Sequence, residues 1–267
     1  MPALEKFLDL VSSYVWGAPL LILLCGTHIF LTFRLKLIQR YLWTAIKLSF
    51  KRTSEGEGDV SHFAALSTAL AATIGTGNIV GVATAVAAGG PGAVLWMWLT
   101  GVFGIATKYA EALLSVKYRI KTQDGTMAGG PMYVLERGLR WKWLGTVFAA
   151  LTAVAAFGIG NMVQANSISS LVNETMHISP WISGAIMTAL TAIVILGGIK
   201  SIANVCEKLV PFMAVFYVLG CAIILFMRAE TIPETCMLIF NTAFTGTAAV
   251  GGFIGAGMRE AMRYGVA

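Results

Sequence analysis

Charge is what this sequence has least of. Asp, Glu, Lys and Arg together make up 12% of its 267 residues, about half the share of an ordinary soluble domain, while apolar residues reach 57%. A water-facing surface cannot be covered at that ratio, so a soluble globular domain is excluded and the relevant solvent is a bilayer. Cysteine is scarce as well. Cys25, Cys206, Cys221 and Cys236 are far apart and suit neither a disulfide framework nor a zinc spacing. Ahead of the first apolar run stand Glu5, Lys6 and Asp9 rather than a basic cluster, and no small-residue cleavage site follows, so that helix is expected to be retained. No H-E-x-x-H or G-x-S-x-G motif occurs, and His28, His62 and His177 are scattered. A membrane hydrolase has no machinery here, and the chain reads as no enzyme.

What is present is a series of apolar runs. With a crossing of about 20 residues as the template, seven candidates lie near 11–33, 61–88, 91–116, 144–171, 179–199, 209–228 and 236–258. Between Asp59 and Lys108 there are 48 residues without a charge. That stretch must cross twice, with Gly89, Gly90, Pro91 and Gly92 supplying the turn. The net charge of +6 does not point to nucleic acid, because the basic residues are sorted along the chain. Six fall in 34–52, six in 117–142, two in 200–208 and two in 259–263. Lys6 and Arg228 alone fall on the opposite side, with Lys108 inside a span. Seven crossings and an amino terminus outside the cell put the basic segments in the cytoplasm.

Three connecting features are legible. The stretch "RLKLIQRYLWTAIKLSFKR" (34–52) gathers Lys36, Arg40, Lys47 and Lys51 on one side of a helical wheel and Leu35, Ile38, Leu42 and Ile46 on another. It reads as an amphipathic helix on the membrane surface, or as a solvated basic linker. In "GGPMYVLERG" (129–138), Pro131 suits the start of a short helix and Gly138 its end. Lys108 and Glu111, one turn apart, are expected to form an ion pair near the membrane interface.

The run at 61–88 holds "ATIGTGNIVG" (71–80), where Gly75 and Gly77 each cost about 1 kcal/mol relative to alanine in a helix interior. An unbroken helix there would be roughly 42 Å long, more than the hydrocarbon core needs. A break is therefore affordable in length, and it frees backbone groups that lipid cannot satisfy. Carbonyls at the carboxyl end of one half suit a cation, and amides at the start of the other suit an anion. Two alternatives stand beside this. Thr73, Gly77 and Gly81 form a small-residue stripe on which an intact helix could pack closely. "TIGTG" also resembles a potassium-channel filter, although the apolar run continues beyond it.

Two further stretches bear on the choice. "FGIGNMVQANSIS" (157–169) spaces Gly158, Asn161 and Gln164 by three, which predicts one helix face with amides at membrane depth. "TAAVGGFIGAGMRE" (247–260) interrupts the last run with Gly251 and Gly252. Counted from the break at 75–78, that helix is first and the one interrupted at 251–252 is sixth, the positions of corresponding broken helices in an inverted repeat of five.

The stretches "ALSTALAATIGTGNIVGVATAVAAGGPGAVLWMW" (65–98), "TKYAEALLSVKYR" (107–119), "GGPMY" (129–133), "GNMVQANS" (160–167) and "FTGTAAVGGFIGA" (244–256) resemble the alanine or glycine:cation symporter family, the sodium–alanine symporters of bacteria and archaea. The resemblance covers nearly the whole chain but only the amino-terminal part of the family's pattern. It implies an all-α multi-pass membrane protein of leucine-transporter-type inverted-repeat fold, truncated after the first helix of the second repeat. The expected units are a leading transmembrane helix at 1–33, an interfacial helix at 34–52, a first five-helix repeat at 61–228, and the opening helix of a second repeat at 236–267.

The same resemblance implies Na⁺-coupled uptake of alanine or glycine across the cytoplasmic membrane of a prokaryote, with no cofactor beyond the coupling ion. By matching positions, Gly75, Thr76, Gly77 and Asn78 would receive the substrate carboxylate on backbone amides. Carbonyls of Ala71 and Ile74 would face Na⁺, with the Asn78 side chain bridging ion and substrate. Gln164, Gly251, Gly252 and Phe253 would complete the pocket. Glycine-rich walls fit a small side chain. Sodium ligands of the family's eighth helix would lie beyond residue 267, so the chain alone is expected to be inactive. The competing reading is a channel or structural membrane component in which the glycines are packing seams.

Overall fold

A computed structural model of the chain describes residues 6–7, 10–11, 14–15, 18–50, 60–123, 125–158 and 160–244. Helices dominate. They are α1 (Ala18–Arg34), α2 (Leu42–Ser49), α3 (His62–Thr73), α4 (Thr76–Gly89), α5 (Ala93–Lys117), α6 (Lys142–Ala155), α7 (Met162–Met176), α8 (Pro180–Leu196), α9 (Gly198–Met227) and α10 (Ile232–Thr242). A two-residue antiparallel pair, β1 (Ile120–Lys121) with β2 (Met127–Ala128), and a helical turn from Pro131 to Gly138 join α5 to α6. Pro131 and Gly138 thus bound the short helix as expected.

Local chemistry sets several helix starts. The Ser61 hydroxyl accepts from the Ala64 amide at 3.1 Å and caps α3. Pro180 opens α8, where a missing N–H costs nothing. Gly92 lies so close to the backbone of Thr242 and Ala243 that an added Cβ would sit 2.4 Å from the Thr242 carbonyl carbon. Only glycine permits this approach of α5 to the end of α10.

The interior is built from small residues. Apart from Val210 and Ile239, the buried residues are small, among them Ala64, Ala85, Ala93, Ala106, Ala203, Thr32, Ser67 and Ser183, whereas Trp181, Leu196 and Phe226 are 88%, 86% and 85% exposed. A water-soluble fold would do the reverse. Small residues at helix contacts with large apolar side chains outside is the pattern of helices packed in lipid. Most extensive are the seams of α3 along α9 and of α1 along α5. In the second, the His28 Nδ1 and Thr107 Oγ1 are 2.6 Å apart. By length and composition, the paired α3–α4 span (His62–Gly89) and α9 can each cross a bilayer, and α1 with the bent segment to Ser49 makes a third if the two count as one. The other apolar runs form shorter helices or, in α5, a helix carrying Lys108 and Glu111.

Several boundaries differ from the sequence reading. The helix expected over 34–52 is split by a corner. Lys36 and Leu37 both have left-handed φ, the Leu37 amide bonds to Thr32 O at 2.9 Å and the Lys36 amide to Phe33 O at 3.0 Å, a Schellman-type stop without glycine. A 3₁₀ turn (Ile38–Tyr41) and α2 follow, bent 64° from α1. Tertiary bonds hold that corner, because Gln39 Nε2 donates to Val102 O at 3.0 Å and to Thr32 Oγ1 at 3.2 Å. The run at 144–171 is not one helix. It breaks between Ala155 and Met162, with Gly160 at φ 98°, so Gly158, Asn161 and Gln164 do not share a continuous helical face. The run at 209–228 begins earlier, at Gly198, since Lys200, Glu207 and Lys208 mask an apolar helix of 30 residues. The run at 236–258 begins at Ile232, and Gly251, Gly252 and Phe253 lie outside the described residues.

Candidate functional site

The apolar span His62–Gly89 is interrupted at Ile74–Gly75, at the leading edge of the break expected over 75–78; Thr76, Gly77 and Asn78, expected to be unwound, are already helical. α3 ends at Thr73, and α4 starts at Thr76. Between them Ile74 (φ −82°, ψ 111°) and Gly75 (φ −163°, ψ −160°) are extended. β-Branched Thr73, Ile74 and Thr76 with two glycines make this the weakest helical stretch of the span. Thr73 Oγ1 also bonds back to Ala69 O at 2.7 Å, a contact that competes with the ladder.

The backbone bonds define what the gap offers. The Ile74 amide still reaches Leu70 O at 2.7 Å, so the α3 ladder runs to its last turn. Carbonyls beyond Leu70, including those of Ala71 and Ile74, have no amide of their own helix to accept from. On the other side the Asn78 amide closes a tight bond to Gly75 O at 3.1 Å. The amides of Gly75, Thr76 and Gly77 open α4 and lack ladder acceptors within it. The negative end of one helix dipole therefore meets the positive end of another within two residues. Ala71 and Asn78 are exposed, and Ile74, Gly75 and Thr76 half-buried.

Gln164 is brought to this gap. It stands in the first turn of α7, with Nε2 3.9 Å from the position a Cβ would take on Gly75. Its Oε1 is buried and has no hydrogen-bond partner among the described residues. Such an atom is costly unless something pairs with it. What carries Gln164 there is the second interruption, missed from sequence. Asn161 caps α7, its side-chain oxygen accepting from the Met162 amide at 2.6 Å. A signal existed: Gly75-Thr-Gly77-Asn78 is echoed by Gly158-Ile-Gly160-Asn161, and a helix starts within or just after each motif.

Gly77 bears on the packing-seam alternative. Among the described residues nothing lies within 4 Å of a Cβ placed there, whereas at Gly145 the Met132 carbonyl oxygen would be 2.7 Å away. Gly145 is a close-packed glycine and Gly77 is not. The described residues hold no group of three or more His, Cys, Asp or Glu suited to a metal. A cation at the gap would be coordinated by neutral oxygens. Lys108 and Glu111 form the expected ion pair at 2.9 Å, with side chains 80% and 46% exposed.

Comparison with known proteins places the family. The sequence profile of the sodium:alanine symporter family matches residues 1–267. The chain is 52% identical over 268 residues to the sodium/alanine symporter AgcS of Methanococcus maripaludis, covering 98% of this chain and 59% of that protein. It is 52% identical over 266 residues to an uncharacterized transporter of Haemophilus influenzae, 99% of this chain and 58% of the other. A probable sodium/glutamine symporter of Bacillus subtilis, GlnT, is 34% identical over 265 residues, 98% of this chain and 55% of GlnT. The chain thus spans somewhat over half the length of these relatives. A lipid-facing helical fold, a gap between two helix termini and a match along its whole length lead to one conclusion: this chain belongs to the sodium:alanine symporter family.

Proposed function

We propose that the protein takes part in sodium-coupled symport of a small neutral amino acid, with the gap at Ile74–Gly75 as the shared site of substrate and ion. The observation that carries this is the placement of Gln164, whose buried oxygen has no partner among the described residues, beside a gap where two helix termini expose opposite partial charges. A zwitterion and a monovalent cation fit that arrangement without a buried carboxylate, which would be expensive at membrane depth.

In this reading the amides of Gly75, Thr76 and Gly77 take the substrate carboxylate, as a helix start does any anion. Carbonyls of Ala71 and Ile74 face Na⁺, and the Asn78 side chain links ion and substrate. Gln164 Oε1 accepts a hydrogen bond from the substrate ammonium; Gly251, Gly252 and Phe253, which the sequence adds to the pocket, lie outside the described residues. Alanine or glycine is the preferred substrate, in keeping with the name of the 52% identical relative AgcS. The span broken at Ile74–Gly75 and the run that the sequence interrupts at Gly251 and Gly252 hold corresponding positions in an inverted repeat of leucine-transporter type. The amino terminus lies outside the cell and the basic segments on the cytoplasmic side of the membrane. The ring of Phe50, 5.9 Å from that of Phe63, supports placing 34–50 on the same side as the start of α3.

Reconstitution tests the function. A protein that carries this sequence within the full length of its relatives should accumulate labelled alanine in proteoliposomes under an inward sodium gradient, and Asn78→Ala in it should abolish uptake with little loss of folded protein. Normal sodium-driven uptake by that variant would reject the site.

A further inference from the structure

We propose that Ile38–Ser49 is a docking surface for the headgroups of anionic phospholipids, separate from the gap at Ile74–Gly75. No carboxylate occurs from Leu10 to Ser54, while Arg34, Lys36, Arg40 and Lys47 fall within that stretch and are all exposed. None of these four cations is in an ion pair among the described residues. Two are held against aromatic rings instead. The Arg40 guanidinium carbon is 4.7 Å from the Tyr41 ring centroid, and Nη2 donates to the Tyr41 hydroxyl at 2.8 Å. Lys47 Nζ is 5.6 Å from the Trp43 ring.

A soluble basic linker would leave its aromatic residues few. Here Trp43 is 68% exposed, and Leu42, Leu48 and Phe50 are also exposed. Amphipathic rings and leucines enter the headgroup boundary, and cations beside them reach lipid phosphates. Attraction of such a cluster to an anionic leaflet acts within a Debye length, about 8 Å at physiological ionic strength. A protein partner would have to bring carboxylates of its own, whereas a leaflet already supplies a continuous negative surface at the depth where the rings sit. The segment is also tied to the body of the protein. Gln39 bonds to α5, and Phe50 meets Phe63 at the start of α3. Headgroups bound to α2 therefore stabilise the packed helices and not the segment alone.

The test uses the full chain in nanodiscs of phosphatidylcholine alone or with a quarter phosphatidylglycerol, reading the midpoint of thermal unfolding by tryptophan fluorescence. Wild type should rise by several degrees with phosphatidylglycerol. Arg40→Gln/Lys47→Gln should lose at least half of that rise while matching wild type in phosphatidylcholine, and Lys200→Gln/Lys208→Gln should keep it. High salt should erase the rise in wild type, a measurement independent of any variant. No rise in wild type, equal rises in wild type and Arg40→Gln/Lys47→Gln, or loss of the rise in Lys200→Gln/Lys208→Gln would each overturn the proposal. Transport is not read, so the lipid surface can fail while the symport site stands, and the reverse.

Discussion

The amide nitrogen of Gln164 lies 3.9 Å from where a Cβ would stand on Gly75, so the start of α7 faces the gap between α3 and α4 across an ordinary van der Waals contact. That distance leaves Gly75 room for one methyl group. Gly75→Ala should fold, losing about 1 kcal/mol of stability or less, since φ −163° is open to any residue. Its effect should appear in substrate binding, where the methyl takes up space in the gap beside Gln164. Comparing unfolding midpoint with alanine affinity separates the two.

Gln164→Ala removes a side-chain oxygen that has no hydrogen-bond partner to lose among the described residues. Folded yield should hold or improve, because an unsatisfied buried acceptor goes with it. Alanine affinity should fall about tenfold or more, the worth of a hydrogen bond to a charged ammonium. An unchanged dissociation constant by titration calorimetry would remove Gln164 from the site.

Gly92→Ala makes the opposite prediction to Gly75→Ala. Its backbone is ordinary α-helical, so conformation is no obstacle, but the methyl would collide with the Thr242 and Ala243 backbone. Destabilisation of about 1–3 kcal/mol is expected from overpacking. Trp96→Phe, which deletes the 2.6 Å bond from Nε1 to Ala243 O, should cost about 1 kcal/mol at the same seam. Thermal unfolding in detergent reads both.

The seam of α1 on α5 rests partly on His28 and Thr107. His28→Ala and Thr107→Val should each destabilise by about 0.6–1.7 kcal/mol, and the double variant by less than their sum, as for interhelical polar pairs in membranes. A strictly additive double variant would show that the two side chains do not interact.

The sequence disclosed a break in this span, though it set it at 75–78 rather than at Ile74–Gly75, because glycines and β-branched residues fell in a span too long to need every residue helical. It hid the break before Met162 for the opposite reason. Gly158, Asn161 and Gln164 recur at a helical interval, and periodicity cannot distinguish a helical face from a cap followed by a first turn. The corner at Lys36 and Leu37 was hidden more deeply. Neither residue favours left-handed φ, and the bonds that hold Gln39 to Val102 come from a helix more than 60 residues away in sequence. Local pattern carries the helices; the contacts that bend them are non-local.

Linkage gives the most direct test of the gap as a joint site for zwitterion and cation. Alanine affinity measured by calorimetry in sodium and in potassium buffers should differ about tenfold or more, with alanine tightening sodium by the same factor and Asn78→Ala abolishing both effects. Equal affinity in the two buffers, or full sodium dependence retained in Asn78→Ala, would contradict the account.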